Sequence, residues 1–175
     1  MFLSRRHLAI AAGMLAAVLV AAVLAAALLL GGINRRSPAP QVSCTLLDGS
    51  TLSTGQLKGQ VVLVNFWATS CTTCVGEMPQ IVKTFEKYRS RGYQTVAVAM
   101  QYDPPTYVAS FAESRKLPFG VAIDNTGEIA RSFGQVQLTP TSFLINKRGE
   151  IVKRYVGAPD FAALHALVEQ LLAET

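Results

Sequence analysis

Histidine is almost absent from this sequence: two residues in 175, His7 and His165, with none between Met14 and Leu164. Cysteine is nearly as rare, with Cys44, Cys71 and Cys74 the whole supply. A structural zinc site takes four ligands, usually drawn from two close Cys or His pairs, so this inventory excludes one. Charge is thin at 15% of residues, and the formal net charge of +5 is misleading. Four of the 16 basic residues, Arg5, Arg6, Arg35 and Arg36, flank one apolar segment; from Ser43 onward there are 12 basic against 11 acidic residues. That balance leaves no electrostatic footprint for nucleic acid. Repeats and low-complexity tracts are missing outside the apolar segment, which excludes solenoids and fibrous arrays.

What the sequence has in excess is one long apolar run. Leu8 to Ile33 carries no charged residue; at ~1.5 Å per residue it is long enough for the ~30 Å hydrocarbon core of a bilayer. A cleaved signal has an apolar stretch of only ~7–15 residues before a small-residue cleavage site. The expected organisation is a membrane anchor over residues 1–33, a polar linker over 34–42 and one globular domain over 43–175.

Within that domain Val42–Leu47 and a partner strand from Thr51 flank Asp48-Gly49, a two-residue hairpin signal. Val61–Phe66 is a continuous apolar run and reads as a strand buried on both faces. A helix is expected from about Thr72 to Arg89, because Cys74, Met78, Ile81, Phe85 and Tyr88 form one apolar stripe. Strand, helix, strand and helix follow over Thr95–Met100, Pro104–Arg115, Phe119–Ile123 and Gly127–Phe133. A hairpin of Thr141–Ile145 and Ile151–Tyr155 and a last helix capped by Asp160 complete the chain. This alternation predicts an α/β sandwich with a mixed central sheet.

The chemistry concentrates in WATSCTTCVGEMP, Trp67 to Pro79. Cys71 falls at the predicted helix N-terminus, where unpaired backbone N–H groups and the helix dipole stabilise a thiolate. Cys74 lies one turn on, in the buried stripe. An outer nucleophile with an inner resolving thiol suits thiol-disulfide exchange; two thiolates also suit Cu(I). An inert structural disulfide closing so short a loop would constrain little chain.

VVLVNFWATSCTTCVGEMP, with LTPTSFLI downstream and the apolar segment upstream, resembles the TlpA/ResA-like branch of the thioredoxin superfamily, membrane-tethered thiol-disulfide oxidoreductases that face the extracytoplasmic side. The resemblance covers essentially all of Ser43 to Thr175. It implies a thioredoxin-like sandwich with an N-terminal β-hairpin and a strand-helix insert, and a redox-active disulfide between Cys71 and Cys74. It also implies a cis bond before Pro140 that presents Thr139 to an extended substrate by strand addition, and Trp67 packed beneath the active-site turn. Glu77, three residues after Cys74, becomes the acid that moves the resolving thiol's proton, since Asn65 stands where thioredoxins proper carry a buried aspartate. Two departures are Ser70, in place of the usual aromatic residue, and Thr72-Thr73 between the cysteines, a dipeptide position that tunes redox poise.

The expected function is reduction of protein disulfides, such as apocytochrome c or copper-site cysteines, outside the cytoplasm, with no cofactor and no metal. The domain would face the periplasm or cell exterior from the inner membrane and be recharged by a membrane thiol transporter of the DsbD/CcdA kind. The alternative is a Cu(I) metallochaperone using the same cysteines. Cys44 and His165 are expected to be packing residues. Neither Cys71 nor Cys74 has the threonine three positions earlier that a peroxiredoxin would carry.

Overall fold

The computed structural model describes Val20 and residues 36–174. Among the described residues no helix is long and apolar enough to cross a membrane; the expected anchor over 1–33 lies, apart from Val20, outside them. Ser37 onward forms one compact unit.

Its elements run β1 (Ser37–Pro38), β2 (Ser43–Thr45), β3 (Thr51–Ser53), β4 (Val61–Trp67), α1 (Thr72–Tyr88), β5 (Tyr93–Ala99), α2 (Pro105–Ser114), β6 (Gly120–Ile123), α3 (Glu128–Ser132), β7 (Thr141–Ile145), β8 (Glu150–Val156) and α4 (Phe161–Ala173). Six strands form one sheet in the order β1-β8-β7-β4-β5-β6, and β2-β3 form a separate hairpin. Because β4, β5 and β6 are parallel while β7 runs antiparallel to β4, the sheet is mixed, a thioredoxin-like α/β fold.

The apolar run at β4 is buried along its whole length because both faces of the sheet are covered. Val61, Leu63 and Trp67 point to one face, where Met78, Ile81 and Phe85 of α1, Val108 of α2 and Leu164, Val168 and Leu171 of α4 close the larger core. Val62, Val64 and Phe66 point to the other, against Ile129, Ala130 and Phe133 of α3. Phe66, Phe133 and Phe143 meet there edge to face and tilted, with ring centroids 5.1–6.0 Å apart. The period-2 alternation therefore turns Asn65, the polar residue of β4, toward the α1 face.

Three local readings change. Ser37 and Pro38, placed in the linker by composition, pair with Ile151 and Glu150 of β8, and Ala39 is buried. A proline that lacks an N–H can sit at a sheet's edge, where one side needs no donor. The first hairpin closes with Leu46 N–H on the Ser50 carbonyl and Gly49 at φ 85°, so its loop is three residues with glycine in the left-handed position, not two. The helix after Cys71 runs unbroken to Tyr88 with Pro79 inside it, then tightens to a 3-10 turn over Arg89–Arg91 before Gly92 at φ 90°. Asp160 caps α4 as expected, accepting from the N–H groups of Ala162 and Ala163.

Candidate active site

The order β7-β4-β5 determines where the chemistry sits. β4 and β5 are parallel with Trp67 opposite Ala99, and β7 enters antiparallel with Thr141 opposite Phe66. The loop leaving β4, the loop leaving β5 and the loop entering β7 therefore meet at one rim. The two cysteines, residues 100–104 and Pro140 are brought together by this register rather than by sequence proximity.

Cys71 and Cys74 form a disulfide with Cα atoms 5.2 Å apart. Cys71 is the N-cap of α1, in extended backbone geometry, and its Sγ accepts the Cys74 N–H at 3.2 Å. It is half-buried beside exposed Ser70, Thr72 and Thr73, whereas Cys74 is fully buried in the α1 core. A sulfur at this N-cap receives a backbone N–H and the positive end of a 17-residue helix, the setting that favours thiolate over thiol when the bond is reduced.

Glu77 lies beneath, only 4% exposed. Its Oε1 accepts from Asn65 Nδ2 at 3.0 Å, and the same amide donates to Ser142 Oγ at 2.9 Å. Asn65 and Ser142 are register partners across β4 and β7. Burial pushes the Glu77 carboxyl up to about 7, the Asn65 bond pulling it back in the opposite sense. Its second oxygen, Oε2, is buried without a protein partner. The group is thus poised to gain or lose a proton near neutral pH, one helical turn from Cys74.

Trp67 is fully buried, its ring 5.1 Å from that of Phe111 on α2. The Thr139–Pro140 peptide is cis, Pro140 is buried and Thr139 half-exposed. Cys44 is half-buried against the smaller core, donating weakly to the Leu52 carbonyl at 3.6 Å, its thiol pushed up by burial. His165 packs edge-on against Tyr88 and contacts Thr84 Oγ1 at 2.9 Å. Thr84 also donates to the Gln80 carbonyl, and the histidine ring packs against Tyr88 and Phe161. No group of three or more His, Cys, Asp and Glu side chains that could hold a metal occurs among the described residues.

Sequence reasoning did not single out Ser142, Thr69, Tyr102 or Asp103. Thr69 donates from its N–H to Asp103 Oδ2 at 2.6 Å and from its hydroxyl to Oδ1 at 2.5 Å. A polar residue in the apolar strand TSFLI was the one signal for Ser142; Asp103, ahead of two prolines, reads as an ordinary loop residue.

The profile of the Redoxin family matches residues 35–168. The thiol-disulfide oxidoreductase ResA of Bacillus thuringiensis is 36% identical over 119 residues, 68% of each chain. ResA of Bacillus subtilis is 30% identical over 133 residues, 76% of this chain and 73% of its own. Among solved structures, a thiol:disulfide interchange protein of the thioredoxin family from Chlorobium tepidum superposes with a TM-score of 0.73 at 30% identity, over 80% of this chain and 99% of that one.

Proposed function

The chain belongs to the Redoxin family as a thiol-disulfide oxidoreductase of the ResA type, and from that membership we propose that it reduces disulfides of protein substrates outside the cytoplasm. The observation that carries the exchange chemistry in this reading is the asymmetry of the pair: Cys71 half-exposed at the N-cap of α1, Cys74 fully buried one turn on.

In the reduced protein the Cys71 thiolate attacks one sulfur of a substrate disulfide. An S–S bond forms between Cys71 and the substrate, and the other substrate sulfur leaves as a thiolate. Glu77, neutral below about pH 7 and again able to accept a proton once ionised, takes the proton of Cys74. The Cys74 thiolate then attacks Cys71 Sγ and releases the second substrate sulfur as a thiolate, which takes its proton from Glu77 or solvent. Two electrons have passed to the substrate, and the Cys71–Cys74 bond seen in this structure is the product. Thr139, beside Pro140 at the same rim, offers backbone to an extended substrate segment, and Trp67 supports the turn from below.

An oxidising compartment recharges no reductase on its own, so the cycle needs a dithiol donor. A membrane thiol transporter of the DsbD/CcdA kind fits a domain tethered by residues 1–33 in the inner membrane, and apocytochrome c or copper-site cysteines fit as substrates. The reduction potential of the pair tests the direction: a value near the about −270 mV of thioredoxin supports reduction, and one near the about −120 mV of DsbA overturns it. Tight stoichiometric Cu(I) binding with negligible disulfide reduction would instead favour a metallochaperone. Retention of the full chain in membranes after an alkaline carbonate wash tests the anchor; release into the wash would overturn it.

A further inference from the structure

Asp103 is 2% exposed, yet its carboxylate does not cap the helix it precedes. α2 starts at Pro105 and has no side-chain cap. Both carboxylate oxygens are instead taken by Thr69, through the backbone N–H and the hydroxyl. The loop is bent back to achieve this: the Met100 N–H donates to the Trp67 carbonyl at 3.0 Å and the Asp103 N–H to the Met100 carbonyl at 2.9 Å. Thr69 lies in the turn that closes with the Cys71 N–H on the Ala68 carbonyl at 3.1 Å. A buried carboxylate is costly unless its donors are well placed, and here both donors belong to the turn that presents Cys71.

The neighbouring residue reaches the other wall of the rim. Tyr102 is 56% exposed, and its hydroxyl lies 3.3 Å from Thr139 Oγ1, next to the cis peptide. Two consecutive residues of the β5–α2 loop thus touch the turn before Cys71 and the segment before Pro140 that is proposed to pair with substrate.

We propose that Tyr102 and Asp103 are a positioning pair for thiol-disulfide exchange: Asp103 sets the aim of Cys71, and Tyr102 sets the placement of Thr139 against an extended substrate. The inference rests on the exchange chemistry of the family and not on the reducing direction proposed above, so a potential that overturned the direction would leave it standing. Because Asp103 engages both donors of Thr69, two residues before Cys71, it bears on the reacting sulfur. The Tyr102 contact is exposed and single, and it bears on substrates large enough to reach Thr139.

Asp103→Asn keeps the shape of the side chain but turns an N–H₂ toward one of the two Thr69 donors. The reduced variant should alkylate at Cys71 with iodoacetamide about tenfold more slowly, with a displaced pH midpoint. Thr69→Val, which removes only the hydroxyl, should shift both in the same sense, and Thr69→Ser should restore them to within about twofold. Tyr102→Phe should raise KM for a disulfide-bridged peptide about threefold or more relative to KM for a low-molecular-weight aromatic disulfide. If Asp103→Asn and Thr69→Val lower only the melting temperature, leaving the Cys71 rate and midpoint unmoved, the role of Asp103 is purely structural. If Tyr102→Phe moves both KM values together, or neither, the role of Tyr102 is overturned. Should Asp103→Asn fail to fold, Thr69→Val alone decides the first half.

Discussion

Replacing Glu77 with glutamine perturbs two properties of the protein in opposite senses, and the structure sets the size of each. The carboxyl is held at about 7 by burial, against an ordinary 4.5. Between those values the folded chain keeps a proton that the unfolded chain has released. Folding stability from this group is therefore fully present below pH 4.5, declines as pH rises, and is lost once pH passes the folded value. At ~1.4 kcal/mol per unit of pKa, the interval corresponds to about 3 kcal/mol. Glutamine does not titrate. It retains an oxygen to accept from Asn65, and it places an N–H₂ where Oε2 has no protein partner, at a pH-independent cost of about 1–3 kcal/mol. The difference in unfolding free energy between variant and wild type should therefore move by about 3 kcal/mol in favour of glutamine between about pH 4 and pH 8. Urea unfolding of the oxidised proteins, followed by fluorescence of the single buried Trp67, measures that difference directly. Turnover should meanwhile fall about a hundredfold, the contribution of one positioned acid-base group, and lose its pH dependence near 7. A difference flat to within about 1 kcal/mol across that range would refute the claim that Glu77 is buried in a site that favours its neutral form. Unchanged turnover would refute its part in proton transfer.

Other outcomes can be checked independently. Cys74→Ser leaves the attacking sulfur but removes the resolving one, so mixed disulfides through Cys71 should accumulate, visible as thiol-sensitive adducts on non-reducing gels; Cys71→Ser should yield none. Asn65→Leu removes the donor that favours the ionised form of Glu77. The pH midpoint of turnover should rise above that of wild type, as read from a pH-rate profile. Ile81→Ala, at a site 1% exposed between α1 and the sheet, should cost about 2–5 kcal/mol in denaturant unfolding. Asp160→Ala, which deletes the two cap bonds of α4, should cost about 1 kcal/mol in the same assay.

Much of this protein is written in local pattern. The stripe Cys74-Met78-Ile81-Phe85-Tyr88 sets a helix with one buried face whatever packs against it, and every one of those residues is buried. The continuous apolar run at β4 specifies a strand covered on both sides, and Cys71 and Cys74 at i and i+3 place an outer and an inner sulfur on one helix start. These features depend on neighbours within a few residues, where periodicity, capping and turn chemistry decide the backbone.

Tertiary structure alone decided the rest, because it depends on strand order and register. Pairing Asn65 with Ser142 across β4 and β7 places one amide between Glu77 and a serine 77 positions along the chain from Asn65. Parallel pairing of β4 with β5 brings Tyr102 and Asp103 to the rim, and no spacing in the sequence announces it. Ser37 and Pro38 become an edge strand only because β8 leaves that edge open to them. The sequence by itself determined that two sulfurs would meet at the start of a helix. How Glu77 is held behind them, and which loops hold their flanks, was decided by long-range hydrogen bonds that form only when the sheet closes in this order.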